Sequence, residues 1–218
     1  MKLKNKVSIV TGSASGFGKG IAELFSKEGA KLIIADINQE AGEKVVYDLK
    51  NLGGEAEFIK TDVSNSDSMK NLVEKTDKIF GKLDILVSNA GWSYVNKSSI
   101  KVTESEIDKL LDINIKSLYF GTVFGVELMR KNSGGGVLIN IASTAAVRPR
   151  PNLTWYNATK GAAVTITKSL AVELAKEKIR VCAINPVIGE TGMLETFMGM
   201  PDNPDNRKKF IESIPLGR

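Results

Sequence analysis

Val7-Ser8-Ile9-Val10-Thr11-Gly12-Ser13-Ala14-Ser15-Gly16-Phe17-Gly18 is the stretch from which the fold can be read. Val7 to Val10 form a short apolar run, and the chain then turns through glycines at 12, 16 and 18. A helical pattern follows, with Ile21, Ala22, Leu24 and Phe25 on one side and Gly29 closing it. Strand, glycine-rich turn and helix, in that order, make a site for phosphate. Glycines let the backbone approach a pyrophosphate, and the new helix offers free N–H groups at the positive end of its dipole. The spacing is Gly-x-x-x-Gly-x-Gly rather than Gly-x-Gly-x-x-Gly. A plain strand-to-helix turn rarely needs three glycines. The candidate cradle is therefore Gly12, Ser15, Gly16, Phe17 and Gly18.

Outward from this turn, Lys31-Leu32-Ile33-Ile34-Ala35 reads as a second strand ending at Asp36, which lies 18 residues beyond Gly18. A carboxylate there can hold ribose hydroxyls and repels a 2′-phosphate. Ile37 and Asn38 follow without an arginine, and position 15 is serine, so NAD is expected rather than NADP. Asp36 also suits the start of a helix expected over residues 38–52. The third strand, Ala56–Lys60, ends at Thr61-Asp62-Val63, and residues 67–80 read as helix. The fourth, Leu83–Val87, ends at Ser88-Asn89-Ala90-Gly91. Those small residues admit a flat ring or a ribose, and would equally suit any tight turn.

A long helical stretch over residues 103–131 carries Asn114 in its middle, either simply tolerated or marking a kink that serves a polar network. The fifth strand, Val137–Ala142, leads to Ser143, and a helix carrying Tyr156 and Lys160 runs to about Lys178. The sixth strand, Ile179–Ile184, ends at Asn185-Pro186, and Cys182 within it reads as a small buried hydrophobe. This alternation predicts a Rossmann-like α/β fold: a doubly wound parallel sheet with helices on both faces. Ligands bind such sheets beyond the carboxyl ends of the strands. Gly12, Asp36, Asp62, Asn89, Ser143 and Pro186 all fall there. No linker, repeat or low-complexity segment divides the chain, so residues 1–218 are expected to form one dinucleotide-binding domain.

Tyr156 and Lys160, four residues apart, share a helix face. An ammonium beside a phenol favours phenolate and is expected to lower its pKa. On spacing alone the pair is weak, because exposed helices carry it often. The chain has no histidine, which excludes Ser-His-Asp and Cys-His catalysis and most zinc sites. Cys182 is the only cysteine, so there is no disulfide framework, and no metal is expected. The net charge of +5 is spread among acidic residues with no basic cluster interleaved with aromatics, which argues against nucleic acid. No apolar run has the length of a membrane span and no signal-peptide core is visible, so a cytoplasmic protein is expected.

Over essentially its whole length the chain resembles the classical short-chain dehydrogenase/reductases, including members like 3-oxoacyl carrier-protein reductases and glucose dehydrogenases. Thr11-Gly12-x-x-x-Gly16-x-Gly18 resembles the family's cofactor turn, and Asn89-Ala90-Gly91 its Asn-Ala-Gly motif. Asn114, Ser143, Tyr156 and Lys160 match its catalytic tetrad in order and spacing. The resemblance implies hydride transfer between NAD and a small secondary alcohol or ketone. Tyr156 would move the hydroxyl proton, Lys160 would lower its pKa and bind the nicotinamide ribose, Ser143 would orient the substrate oxygen, and Asn114 would hold a water. It also implies that Ile37, Val63, Pro186, Val187, Ile188 and Thr191 join the cofactor contacts, and that the protein is a homo-oligomer, dimer or tetramer.

Two departures stand out. The usual Pro-Gly after the sixth strand is Pro186-Val187, which should alter the backbone near the nicotinamide. The sequence stops at Ile214-Pro215-Leu216-Gly217-Arg218, where the family normally continues, so a C-terminal edge strand is expected to be absent. Residues 188–212 are expected to form a lid, with Met193, Leu194, Phe197, Met198 and Met200 covering an apolar substrate or packing on the sheet. Trp92, Tyr94 and Trp155 would line the pocket or its rim. Arg148 and Arg150 are read as subunit-contact or solvent residues, with a substrate anion as the other role. Two other functions remain open: an NADPH-dependent 3-oxoacyl carrier-protein reductase docking its acidic partner at Arg130-Lys131, and a non-catalytic NAD-binding scaffold.

Overall fold

The computed structural model describes residues 1–189, 191–212, 214, 216 and 217; Glu190 of the expected lid, and Pro215 and Arg218 of the chain end, lie outside them. The apolar runs form β1 (Val7–Thr11), β2 (Lys31–Asp36), β3 (Glu55–Lys60), β4 (Ile85–Ser88), β5 (Gly136–Ile141) and β6 (Ile179–Ile184). All pair in parallel, in the order β3-β2-β1-β4-β5-β6. The order reverses between β1 and β4, and the crevice of a doubly wound sheet opens at such a switch point.

Every residue of β1 is buried, as expected of a strand covered on both faces. Side chains alternate between the two faces with the period of two that a strand imposes. Ile9, Ile33, Leu86 and Leu138 pack toward α3 (Ser66–Phe80) and α5 (Ser117–Met129). Val10, Leu32, Ile34 and Val87 pack toward α1 (Gly16–Lys27) and α2 (Gln39–Asn51). Helix starts follow local chemistry: the Asn38 and Asn65 side chains accept from the N–H groups of Ala41 and Ser68.

The helix expected over residues 103–131 forms, running from α4 (Glu104–Leu111) through a π-turn at Asp112–Lys116 into α5, so Asn114 marks an irregularity, the second of its two readings. Two expectations need correction. The helix carrying Tyr156, α6 (Thr154–Glu173), stops short of Lys178. A 3₁₀ turn at Ala175–Glu177 and a left-handed Lys178 reverse the chain into β6. Cys182 is exposed rather than buried. Among the described residues β6 lies at the sheet edge; its Ile179 and Val181 are buried and Ala183 is partly so, while the alternate residues, Cys182 among them, face outward. The expected lid forms two short helices, α7 (Leu194–Met198) and α8 (Pro204–Glu212). Among the described residues no helix is long and apolar enough to cross a membrane.

Candidate functional site

The turn after β1 adopts backbone angles that favour glycine, with φ of +63° at Gly12 and +53° at Gly16. A Cβ on Gly12 would lie 2.9 Å from Ala90 Cα, and one on Gly18 only 2.2 Å from the Gly12 carbonyl oxygen. The Asn-Ala-Gly segment holds this turn in place. Asn89 Nδ2 donates to the carbonyls of Thr11 and Gly12, at 2.9 and 3.0 Å. Thr11 Oγ1 accepts from the N–H groups of Asn89 and Ala90, at 3.0 and 3.1 Å. At the end of β2, Asp36 accepts from the Ala14 N–H at 2.9 Å and the Asn38 N–H at 3.0 Å. One carboxylate therefore joins the glycine turn to the start of α2.

The other end of the site is built where β5 gives way to Ser143 and α6 brings up Tyr156 and Lys160. Ser143 Oγ accepts from the Ala145 N–H at 3.1 Å. Burial pushes the Tyr156 phenol above its ordinary 10.0, while the neighbouring Ser143 hydroxyl and the Arg150 cation pull the other way. Burial outweighs both, opposite to the direction expected from a lysine on the same helix face. Lys160 Nζ donates to the Ile141 carbonyl at 2.9 Å and lies 5.8 Å from the Tyr156 ring centroid. Desolvation pushes its pKa down to about 8.

Asn114 sits in the π-turn, buried, and serves the polar network expected of a kink. Its Oδ1 accepts from the Trp92 N–H and its Nδ2 donates to the Trp92 carbonyl, both at 2.9 Å. A further bond runs from Nδ2 to Thr159 Oγ1 at 3.1 Å, tying the π-turn to α6.

A single cleft of about 510 Å³ runs from the glycine turn to these groups. Of the residues predicted from sequence, Gly12, Ser15, Gly16, Phe17, Asp36, Ile37, Asp62, Val63, Asn89, Ala90 and Gly91 line its first part. Ser143, Tyr156, Lys160, Pro186, Val187, Ile188 and Thr191 line the rest. Gly18 and Asn114 stand behind the wall and shape it. Trp92 lines the cleft, whereas Tyr94 is buried behind it, its hydroxyl accepting from the Trp155 N–H at 3.3 Å. Trp155 is half exposed outside it, bonded to the Ser99 carbonyl. Met193, Leu194 and Phe197 of the expected lid reach the cleft; Met198 and Met200 do not. The Phe197 ring packs on that of Tyr156 at 5.1 Å between centroids.

Arg148 is exposed away from the cleft, but Arg150 lines it, contrary to the solvent or subunit role expected. Lys109 and Ile113, on the irregular helix, were not anticipated as lining residues. Their i, i+4 spacing was the available signal, and the π-turn that aims them has no signature in the sequence. A shallower depression of about 760 Å³ beside α8, lined by Asp202, Arg207 and Ile211, holds none of these groups.

A family model described as short chain dehydrogenase matches residues 6–202. The chain is 43% identical over 218 residues to a 4-formylbenzenesulfonate dehydrogenase of Comamonas testosteroni, covering all of this chain and 86% of that protein. It is 34% identical to a 3-oxoacyl-[acyl-carrier-protein] reductase of Thermotoga maritima, again covering all of this chain and 86% of the relative. Among solved structures, a 3-ketoacyl-(acyl-carrier-protein) reductase from Brucella melitensis complexed with NADH superposes with a TM-score of 0.91 at 42% identity, covering 99% of this chain and 85% of that one. A levodione reductase superposes with a TM-score of 0.92 at 30% identity, with the same coverage of the two chains.

Proposed function

The chain belongs to the short-chain dehydrogenase family, and on that premise we propose that it transfers a hydride between NAD(H) and a secondary alcohol or ketone. The observation that carries this reading is convergence. Ser143, Tyr156 and Lys160 open into the same cleft as the glycine turn and Asp36.

The residues fit a dinucleotide. Bare backbone at Gly12 and Gly16 and the start of α1 suit a pyrophosphate, and Asp36 suits ribose hydroxyls. Ile37, Thr61, Asp62 and Val63 surround that end of the cleft, and among the described residues lining it there is no cation for a 2′-phosphate. This favours NAD, as does the NADH found with a relative of 42% identity. When bound, the cofactor supplies the hydride acceptor or donor.

The protein's own part is positioning and proton transfer. In the reducing direction the carbonyl carbon takes the hydride, and its oxygen takes the Tyr156 proton while Ser143 donates a hydrogen bond to it. Oxidation runs the same steps backward, with Tyr156 as base. Lys160 stands where it can reach a ribose hydroxyl and favour phenolate. Asn114 fixes the backbone at Trp92 and, beside Lys160 and Gly91, holds the water that passes the proton on. Residues 1–218 act as one domain, and the part of 188–212 that reaches the cleft closes over substrate.

A carrier-protein reductase is the second reading, supported by relatives of that name. Its expected docking residues are already engaged: Arg130 Nη2 donates to Glu177 at 2.9 Å and Lys131 to Asp77 at 2.7 Å. That observation favours a small free substrate. An unpaired, exposed Cys182 suits a reducing compartment, and we place the protein in the cytoplasm. Tyr119 and Val123, exposed on α5, support a homo-oligomer.

Titration with NADH and NADPH tests the proposal. Tighter NADH binding is expected; NADPH preference would return the carrier-protein reading, and binding of neither would remove both.

A further inference from the structure

We propose that Thr159 is a positioning residue of the reaction: its buried hydroxyl orients Asn114 so that the amide offers Lys160 an acceptor and no donor. This rests on the roles proposed above for Tyr156, Lys160 and Asn114, and adds a residue that does not line the cleft.

The backbone of Trp92 fixes which end of the Asn114 amide is which. Its N–H requires an acceptor and meets Oδ1; its carbonyl requires a donor and meets Nδ2, both at 2.9 Å. That engages one of the two protons on Nδ2. Thr159 Oγ1 accepts the other at 3.1 Å and donates its own proton to the Tyr156 carbonyl at 2.8 Å. Both donors of the amide are then engaged, while Oδ1 keeps a second lone pair. The same oxygen borders the space beside the ammonium. A Cβ on Gly91 would lie 3.6 Å from Asn114 Oδ1 and 3.5 Å from Lys160 Nζ, so a glycine leaves clear the small volume between them.

Lys160 can only donate, and the Ile141 carbonyl takes one of its three protons. An amide oxygen on that shared space supports the charge directly or through a water, whereas an amide N–H opposes it. Asn114 and Thr159 are both buried, so removing the hydroxyl strands one Nδ2 proton away from water. The cost of that orphan draws the amide out of its present orientation. Thr159 is in this way linked to the charge on Lys160 without touching it, and through that charge to the phenol of Tyr156.

Two turns further along, α6 carries the same arrangement with no chemistry beside it. Thr167 Oγ1 donates to the Ala163 carbonyl at 2.7 Å and accepts from Asn140 Nδ2 at 2.9 Å, and it is as buried as Thr159. Neither Thr167 nor Asn140 lines the cleft. Thr167→Val therefore matches Thr159→Val in every structural respect except its neighbour.

The test compares the native protein, both valine variants and Thr159→Ser by melting curves, NADH titration and initial rates of 1-phenylethanol and cyclohexanol oxidation with NAD across pH. Both valine variants should melt lower by similar amounts, each having lost one buried hydroxyl. Only Thr159→Val should lower kcat, by about tenfold, with the KM of the alcohol and the NADH affinity within about twofold of native. Its rise of oxidation with pH should also move upward, because a less supported ammonium favours phenolate less. The charged and titratable groups in the cleft are Tyr156 and Lys160 on α6, Arg150 before it, Lys109 on α4, and Asp36 and Asp62 at the far end; the substitution removes none of them. Thr159→Ser keeps the hydroxyl and should restore both rate and profile. Should valine prevent folding, Thr159→Ala must show the same split. The inference is overturned if Thr159→Val behaves as Thr167→Val does, if its pH profile is native, or if serine restores neither. In those cases turnover by the native protein leaves the proposed function standing; a native protein that binds NADH and oxidises neither alcohol removes both.

Discussion

Lys160 donates its ammonium proton to the carbonyl of Ile141 at 2.9 Å, a neutral acceptor at the end of β5, and that bond offsets only part of its desolvation. The folded pKa of about 8 lies below the 10.5 of an ordinary lysine. Between those values the unfolded chain binds more protons, so the burial penalty is full below pH 8 and fades as pH rises to 10.5. Lys160→Met should therefore stabilise the cofactor-free protein at pH 7 by roughly 1–3 kcal/mol, in the range of a shift of that size. The gain should vanish near pH 10.5 while activity is lost at every pH. Urea unfolding of both proteins at pH 7 and 10.5 measures it, and a gain that ignores pH would mean the ammonium is solvated.

Tyr156→Phe removes the proposed proton donor while leaving the ring that packs on Phe197. Turnover should fall by about 10²–10⁴-fold, the usual worth of general acid–base catalysis. NADH affinity should stay within about threefold, because the lost hydroxyl serves the substrate. Since burial keeps the phenol protonated through the neutral range, alcohol oxidation by the native protein should rise with pH and ketone reduction should not. Initial rates in both directions, with a fluorescence titration of NADH, check all three statements.

Asp36→Ala should lift the repulsion of a 2′-phosphate and narrow the NADH-over-NADPH preference by about tenfold or more, since each 1.4 kcal/mol is tenfold. The same change leaves the Ala14 and Asn38 N–H groups without their acceptor. A loss of about 1 kcal/mol in stability should accompany it. An unaltered preference would show that another residue reads the ribose.

Gly18→Ala places a carbon 2.2 Å from the Gly12 oxygen and 2.5 Å from Asn89 Nδ2, neither of which can move without opening the turn. Stability should drop by about 1–3 kcal/mol and NADH affinity by well over tenfold. Gly20→Ala, where a Cβ meets nothing within 4 Å, should be neutral or mildly stabilising. Melting curves and NADH titrations on both variants make the comparison.

The strands were legible because buried parallel strands are written as unbroken apolar runs closed by small residues, as at Val7–Thr11 and Gly12. The cleft was legible because its residues cluster at those closures. What escaped depends on sums taken over the folded molecule. Cys182 is apolar enough for a core, and only its place on the edge strand turns it outward. The phenol of Tyr156 moved opposite to expectation because burial, which no local motif encodes, outweighs a nearby charge. Arg150 and Lys109 reach the cleft through a loop and an irregular helix whose directions are set by packing.

The π-turn at Asp112–Lys116 also acts as a phase device. A π-turn carries one residue more than the α-helical turn it replaces. Wound as one regular α-helix from the same residues, everything on one side would be turned by about 100° against the other. Either Lys109 and Ile113 would leave the cleft or the buried face of α5 would leave the sheet. The extra residue thus lets one continuous helical stretch present Lys109 and Ile113 to the cleft and still seat the buried face of α5 on the sheet.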